Sequence, residues 1–99
     1  METLNFEFSA GEPITRTAVV GCVGSGDLEI LMKPHQTGKV SIRVITSVDG
    51  SAQHWQHVFE RIFLIQTPQA MQIDIHDFGA TPGVVRLRLE QALEEVSHG

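Results

Sequence analysis

The stretch from residue 39 to residue 78 changes its hydrophobic period twice, and that change constrains the fold more than any other feature of the chain. KVSIRVITS alternates Val40, Ile42 and Val44 with polar residues, which buries one face of a strand and leaves Ser41 and Arg43 outward. Asp49-Gly50-Ser51 breaks that strand. From Ala52 the apolar residues Trp55, Val58, Phe59, Ile62 and Phe63 follow i, i+3, i+4, i+7, i+8, one stripe of an amphipathic helix that Thr67-Pro68 ends. AMQIDIHDF then alternates through Met71, Ile73 and Ile75, with Asp74 and His76 on the other face. Strand, helix and strand over this length make a crossover unit, which sets the two strands parallel or nearly adjacent with the helix packed on one face.

The remaining segments extend that unit. LNFEF alternates Leu4, Phe6 and Phe8 with polar neighbours, and SAGEP interrupts it, so a short first strand and a loop are expected. Thr17 to Val23 is small and β-branched, and Asp27 to Lys33 alternates through Leu28, Ile30 and Met32. Both segments read as strands, joined at Gly24-Ser25-Gly26 into a hairpin that adds to the sheet antiparallel. Thr81-Pro82 supplies an N-cap and a first-position proline, and Val85, Leu89, Ala92, Leu93 and Val96 then form a second stripe at helical spacing. VVRLRL alternates like a strand, but EQALEEV continues it without a break in strong helix formers, which favours one helix from Pro82 to about Val96. The expected fold is α+β: a small mixed or antiparallel sheet with two helices packed on one face.

At 99 residues the chain is expected to form one domain, residues 1–99. A net charge of -5 without a basic cluster argues against nucleic acid as a partner. The single cysteine, Cys22, excludes an internal disulfide framework and a paired-cysteine redox or zinc motif. METLNFEFSAGEP has acidic residues where a secretion signal needs positive charge, and no apolar run approaches the roughly 18 residues of a membrane span. The expectation is a cytoplasmic protein without membrane contact.

Several residues invite chemistry, and each has a simpler account. His54 and His57 lie three apart on the first helix, but on its polar face, and a metal site needs a further ligand from His35 or His76 in distant elements. No metal site is expected. Asp74, His76 and Asp77 resemble an acid/base set, yet alternation at a strand end followed by a turn explains them. Cys22 sits in an apolar strand-like run, as inert core thiols do. Trp55 and the phenylalanines occupy stripe positions and read as packing.

Gly24-Ser25-Gly26-Asp27 is a hairpin turn first of all, with glycines free to take positive φ. That geometry also exposes one hydroxyl between residues without side chains, where another protein's active site can approach it and a bulky covalent group can be attached. Serine catalysis would need a base and an oxyanion hole, and the step is not a G-x-S-x-G elbow.

With this hairpin, the FERIF helix and the tail IDIHDFGATPGVVRLRLEQALEE together, the chain resembles the acyl carrier subunits of malonate decarboxylases over nearly its whole length. It is similar at greater distance to the citrate lyase acyl carriers, which place an acidic residue before the serine where this chain has Gly24. The resemblance implies that Ser25 carries a 2'-(5''-phosphoribosyl)-3'-dephospho-CoA group through a phosphodiester. It implies acetyl and malonyl thioesters on the thiol end of that group, and a carrier that catalyses none of the steps itself. The partners implied are acyl transferase and decarboxylase subunits and a prosthetic-group transferase, with Asp27 assisting attachment by orienting the hydroxyl or a magnesium ion. The chain has no Asp-Ser-Leu step, and its expected fold is not the four-helix bundle of fatty-acid carriers, so a phosphopantetheinyl transferase is not expected to act on Ser25. The alternative is a non-carrier assembly or binding subunit in which Gly24-Ser25-Gly26-Asp27 is only a turn.

Overall fold

A computed structural model describes residues 1–15, 17–20, 28–35, 38–47, 49–65 and 68–97. Its elements in chain order are β1 (Glu2–Ser9), β2 (Ala18–Val20), β3 (Leu28–Pro34), β4 (Lys39–Thr46), α1 (Ala52–Ile65), β5 (Met71–Asp77) and α2 (Pro82–Ser97). The strands form one five-stranded sheet in the order β1-β4-β5-β3-β2. β4 and β5 are parallel neighbours, in line with the crossover reading, and the other pairings between these strands are antiparallel. The fold is therefore α+β with a mixed sheet.

Register turns the strand alternation into rows that run across the sheet. Leu4, Val44, Ile75 and Ile30 lie side by side in one row, and Phe6, Ile42, Ile73 and Met32 in the next. All the β3, β4 and β5 members of these rows are buried. Both helices cover this face. Trp55, Phe59 and Ile62 of α1 and Val85, Leu89, Ala92, Leu93 and Val96 of α2 join the same buried cluster, which are the stripe positions expected of each helix.

α1 packs through rings. Phe59 stacks between Trp55 at 5.9 Å and Phe63 at 6.4 Å, and meets Phe6 of β1 at 5.4 Å. Phe8 closes the group at 5.3 Å from Phe63. α2 lies against β3 and β2 on the other half of the sheet. VVRLRL is thus helix: Val85 and Leu89 are buried four apart, while Leu87 is 53% exposed on the side away from the core. Thr81 caps α2 as expected, its Oγ1 accepting from Val84 N at 3.3 Å and its carbonyl from Val85 N at 3.0 Å.

The loop after β1 is tied down instead of hanging free. Ile14 is buried, its N–H donating to the Ala70 carbonyl, and Ala70 N donates back to Glu12. Of the expected strand from Thr17 to Val23, the structure describes β2 over Ala18–Val20; the rest falls outside the described residues.

The opposite face of the sheet carries no helix among the described residues. Arg43 and Asp74 face each other there across β4 and β5 and pair at 3.5 Å, and Lys39 pairs with Glu7 at 3.2 Å.

Candidate functional site

Ser25, with Gly24, Gly26, Asp27 and Cys22, lies outside the described residues. Its mount is described. Residues 21–27 link Val20 to Leu28, the facing ends of two antiparallel neighbours whose register is Val20 with Ile30. Leu28 lies opposite Asp77, and Asp77 opposite Thr46, so the segment departs from the sheet edge where β4 and β5 end. The helices α1 and α2 both begin just after those strand ends, so their first turns open toward the same edge. In sheets with parallel strands this is the end at which binding sites are commonly built.

The inner row at this edge departs from the apolar pattern. Glu2, Thr46, Asp77 and Leu28 lie side by side, and Thr46 and Asp77 are the polar residues buried among the described ones. Thr46 Oγ1 donates to Asp77 Oδ2 at 2.9 Å. The other oxygen, Oδ1, accepts from Gly79 N at 3.0 Å and Ala80 N at 2.9 Å. A buried carboxylate is stable only when its lone pairs are used, and these three donors use them. They also fix the turn into α2, in which Gly79 takes φ +105°, a conformation that disfavours any side chain. At the other end of the row, Glu2 Oε1 accepts from Gly50 N at 3.1 Å, binding the β4–α1 loop to the first strand.

Asp77 is where sequence reasoning fell short. It was expected in a turn at the end of the outward face; it is 6% exposed and points into the core side. The signal was present, since Asp77 continues the every-second-residue series of Met71, Ile73 and Ile75. Asp74 and His76 face outward as expected, so the three residues do not converge. Asp74 is held by Arg43 and by Gln72 Nε2 at 3.3 Å. His54, His57 and His76 are exposed, and among the described residues no group of three His, Cys, Asp or Glu side chains comes together as a metal site. A shallow concavity of about 500 Å³ on the bare sheet face is lined by Asn5, Glu7, Lys33, Arg43 and Asp74 among others, charges that offset one another.

The family model described as malonate decarboxylase delta subunit (MdcD) matches residues 15–96. The chain belongs to that family. Among its curated relatives, the malonate decarboxylase acyl carrier protein of Pseudomonas fluorescens is 69% identical over 98 residues, covering 99% of each chain. Those of Stutzerimonas stutzeri and Azotobacter vinelandii are 67% and 65% identical with the same coverage. A solved relative is a chain in the crystal structure of a Pseudomonas malonate decarboxylase hetero-tetramer in complex with malonate. It is 70% identical and superposes with a TM-score of 0.91, covering 97% of this chain and 99% of that one. The match is not confined to the hairpin step: it includes the β4-α1-β5 unit and α2 as far as residue 96. No helix among the described residues is long and apolar enough to cross a membrane.

Proposed function

We propose that this chain is the acyl carrier subunit of a malonate decarboxylase, bearing a covalently attached prosthetic group on Ser25 and catalysing no step itself. The observation that carries the reading is the end-to-end likeness to malonate decarboxylase acyl carrier proteins, at 69% identity over 99% of both chains. The fold supports it. A rigid sheet edge, with its last row closed by the Thr46–Asp77 hydrogen bond, anchors both ends of the segment that contains Ser25.

The group proposed is 2'-(5''-phosphoribosyl)-3'-dephospho-CoA in phosphodiester linkage, which supplies a thiol for acetyl and malonyl thioesters whose carbonyl can take up the electron pair left by departing carbon dioxide. The chain's own contribution is mechanical. Ser25 offers an oxygen between two glycines, where neither neighbour has a side chain to obstruct the attaching enzyme. Leu28, buried at 1% exposure, and the strand pairing behind it keep that point of attachment on the body of the protein. Tethering makes each later encounter intramolecular, which raises effective concentration without any new contact. Asp27 is proposed to orient the serine hydroxyl, or a magnesium ion, during attachment. Acyl transferase and decarboxylase subunits and a prosthetic-group transferase are the proposed partners, acting in the cytoplasm.

Intact mass of the protein purified from its native host tests the reading. Added mass located on the Ser25 peptide is expected, and Ser25→Ala is expected to abolish malonate decarboxylation by the reconstituted complex while leaving thermal unfolding unchanged. Turnover retained by Ser25→Ala rules the carrier role out. Normal loading of Asp27→Asn rules out the part assigned to Asp27.

A further inference from the structure

We propose that the sheet edge from which residues 21–27 depart is the face that docks against the subunit receiving the acyl group, with the Phe78 ring inserted into an apolar pocket of that subunit. The proposal rests on the carrier reading of Ser25.

Four large hydrophobic residues are well exposed among the described ones: Met1, Leu64, Phe78 and Leu87. Two of them stand at this edge. Phe78, 56% exposed, directly follows Asp77, and Met1, 87% exposed, precedes Glu2, which shares the edge row with Asp77. β1 and β5 flank β4, so their ends are about 10 Å apart at ordinary strand spacing. Phe78 is also held in place. The Asp77 carboxylate clamps the two residues that follow Phe78, Gly79 and Ala80, and the His76 ring meets the Phe78 ring edge to face at 6.4 Å and 84°. An aromatic ring that is fixed in orientation and left in water loses little conformational entropy on entering a pocket, which is what makes such residues interface anchors.

Position selects the occupant. Leu28 lies opposite Asp77, and only Gly26 and Asp27 separate it from Ser25, three steps along the chain that span at most about 11 Å. A subunit that takes in the arm near its root therefore covers Phe78. The solved relative belongs to a hetero-tetramer, so carriers of this family do sit against other subunits.

Loaded wild-type and variant carriers are titrated into the catalytic subunits of the same host freed of their own carrier, after mass measurement of the Ser25 peptide. Phe78→Ala is expected to raise KM for the carrier about tenfold or more and change kcat less than twofold, as loss of an interface anchor does. Phe78→Leu should recover most of the loss. Leu64→Ser and Leu87→Ser, on the helices, should stay within about twofold of wild type. An unchanged KM for Phe78→Ala, or an equal rise for Leu64→Ser, overturns the proposal. Sedimentation showing self-association that Phe78→Ala removes would reassign the edge to a second copy of the chain and overturn it too. A bare Ser25 in working wild-type complex sinks the carrier reading instead, and is seen in the mass measurement whatever the KM values show.

Discussion

Thr46 and Asp77, the last residues of parallel neighbours, are joined by a 2.9 Å hydrogen bond on a sheet face whose inner rows are otherwise apolar. The Asp77 carboxylate holds three donors, so removing it takes one acceptor from a hydroxyl and two backbone amides at once. Asp77→Ala is expected to lower the unfolding free energy by about 3 kcal/mol, and Thr46→Val, which removes one donor, by about 1–2 kcal/mol. Urea denaturation measures both. Asp77→Asn keeps an acceptor for Gly79 and Ala80 and should cost less than the alanine change; equal losses would show that the amide contacts contribute nothing.

Phe59 is fully buried and meets rings from both its own helix and β1. Phe59→Ala leaves a cavity under α1 and is expected to cost about 3–5 kcal/mol, a large share of the stability of a domain this size. Phe63→Ala, at a half-buried position, should cost visibly less. The same denaturation series ranks them.

The cap of α2 rests on one side-chain oxygen. Thr81→Ala removes the acceptor for Val84 N and is expected to cost about 1 kcal/mol, whereas Thr81→Ser should be close to neutral. Thermal melts of the two variants separate these outcomes.

On the bare face the Arg43 side chain is 53% exposed, and its pairing with Asp74 at 3.5 Å is open to water and salt. Arg43→Gln is expected to change stability by less than about 1 kcal/mol. A larger loss would show that the pair, and not the apolar rows beneath it, holds β4 to β5.

The segments with an unambiguous period were legible from the residues alone. The β4-α1-β5 unit, its parallel pairing and the helix stripes all follow from spacing, because a buried face leaves a periodic record in the chain. Thr81-Pro82 was legible as a helix start because capping is local chemistry. The seat of β1 beside β4 was not: alternation tells which side of Phe6 is buried but names no neighbour, and the pairing spans more than thirty residues of chain. Asp77 was misread because an aspartate at a strand end ordinarily marks a turn, and what makes an inward carboxylate tolerable is the Thr46 hydroxyl, distant in sequence, together with the Gly79 and Ala80 amides. Family membership was legible in the hairpin step and the long tail together. Ser25 itself lies outside the described residues, so its role stands on likeness and on the mount around it.

β5 is laid between β4 and β3, and no other strand bridges the β1–β4 pair to the β2–β3 pair. All four of the other strands lie within the first 46 residues, yet their two pairs join into one sheet only through Met71–Asp77. Non-local assembly of this kind is slow and leaves sticky margins exposed while it waits. The sheet is continuous only through its fifth strand, so whatever is held at its rim depends on the strand that comes last in the chain.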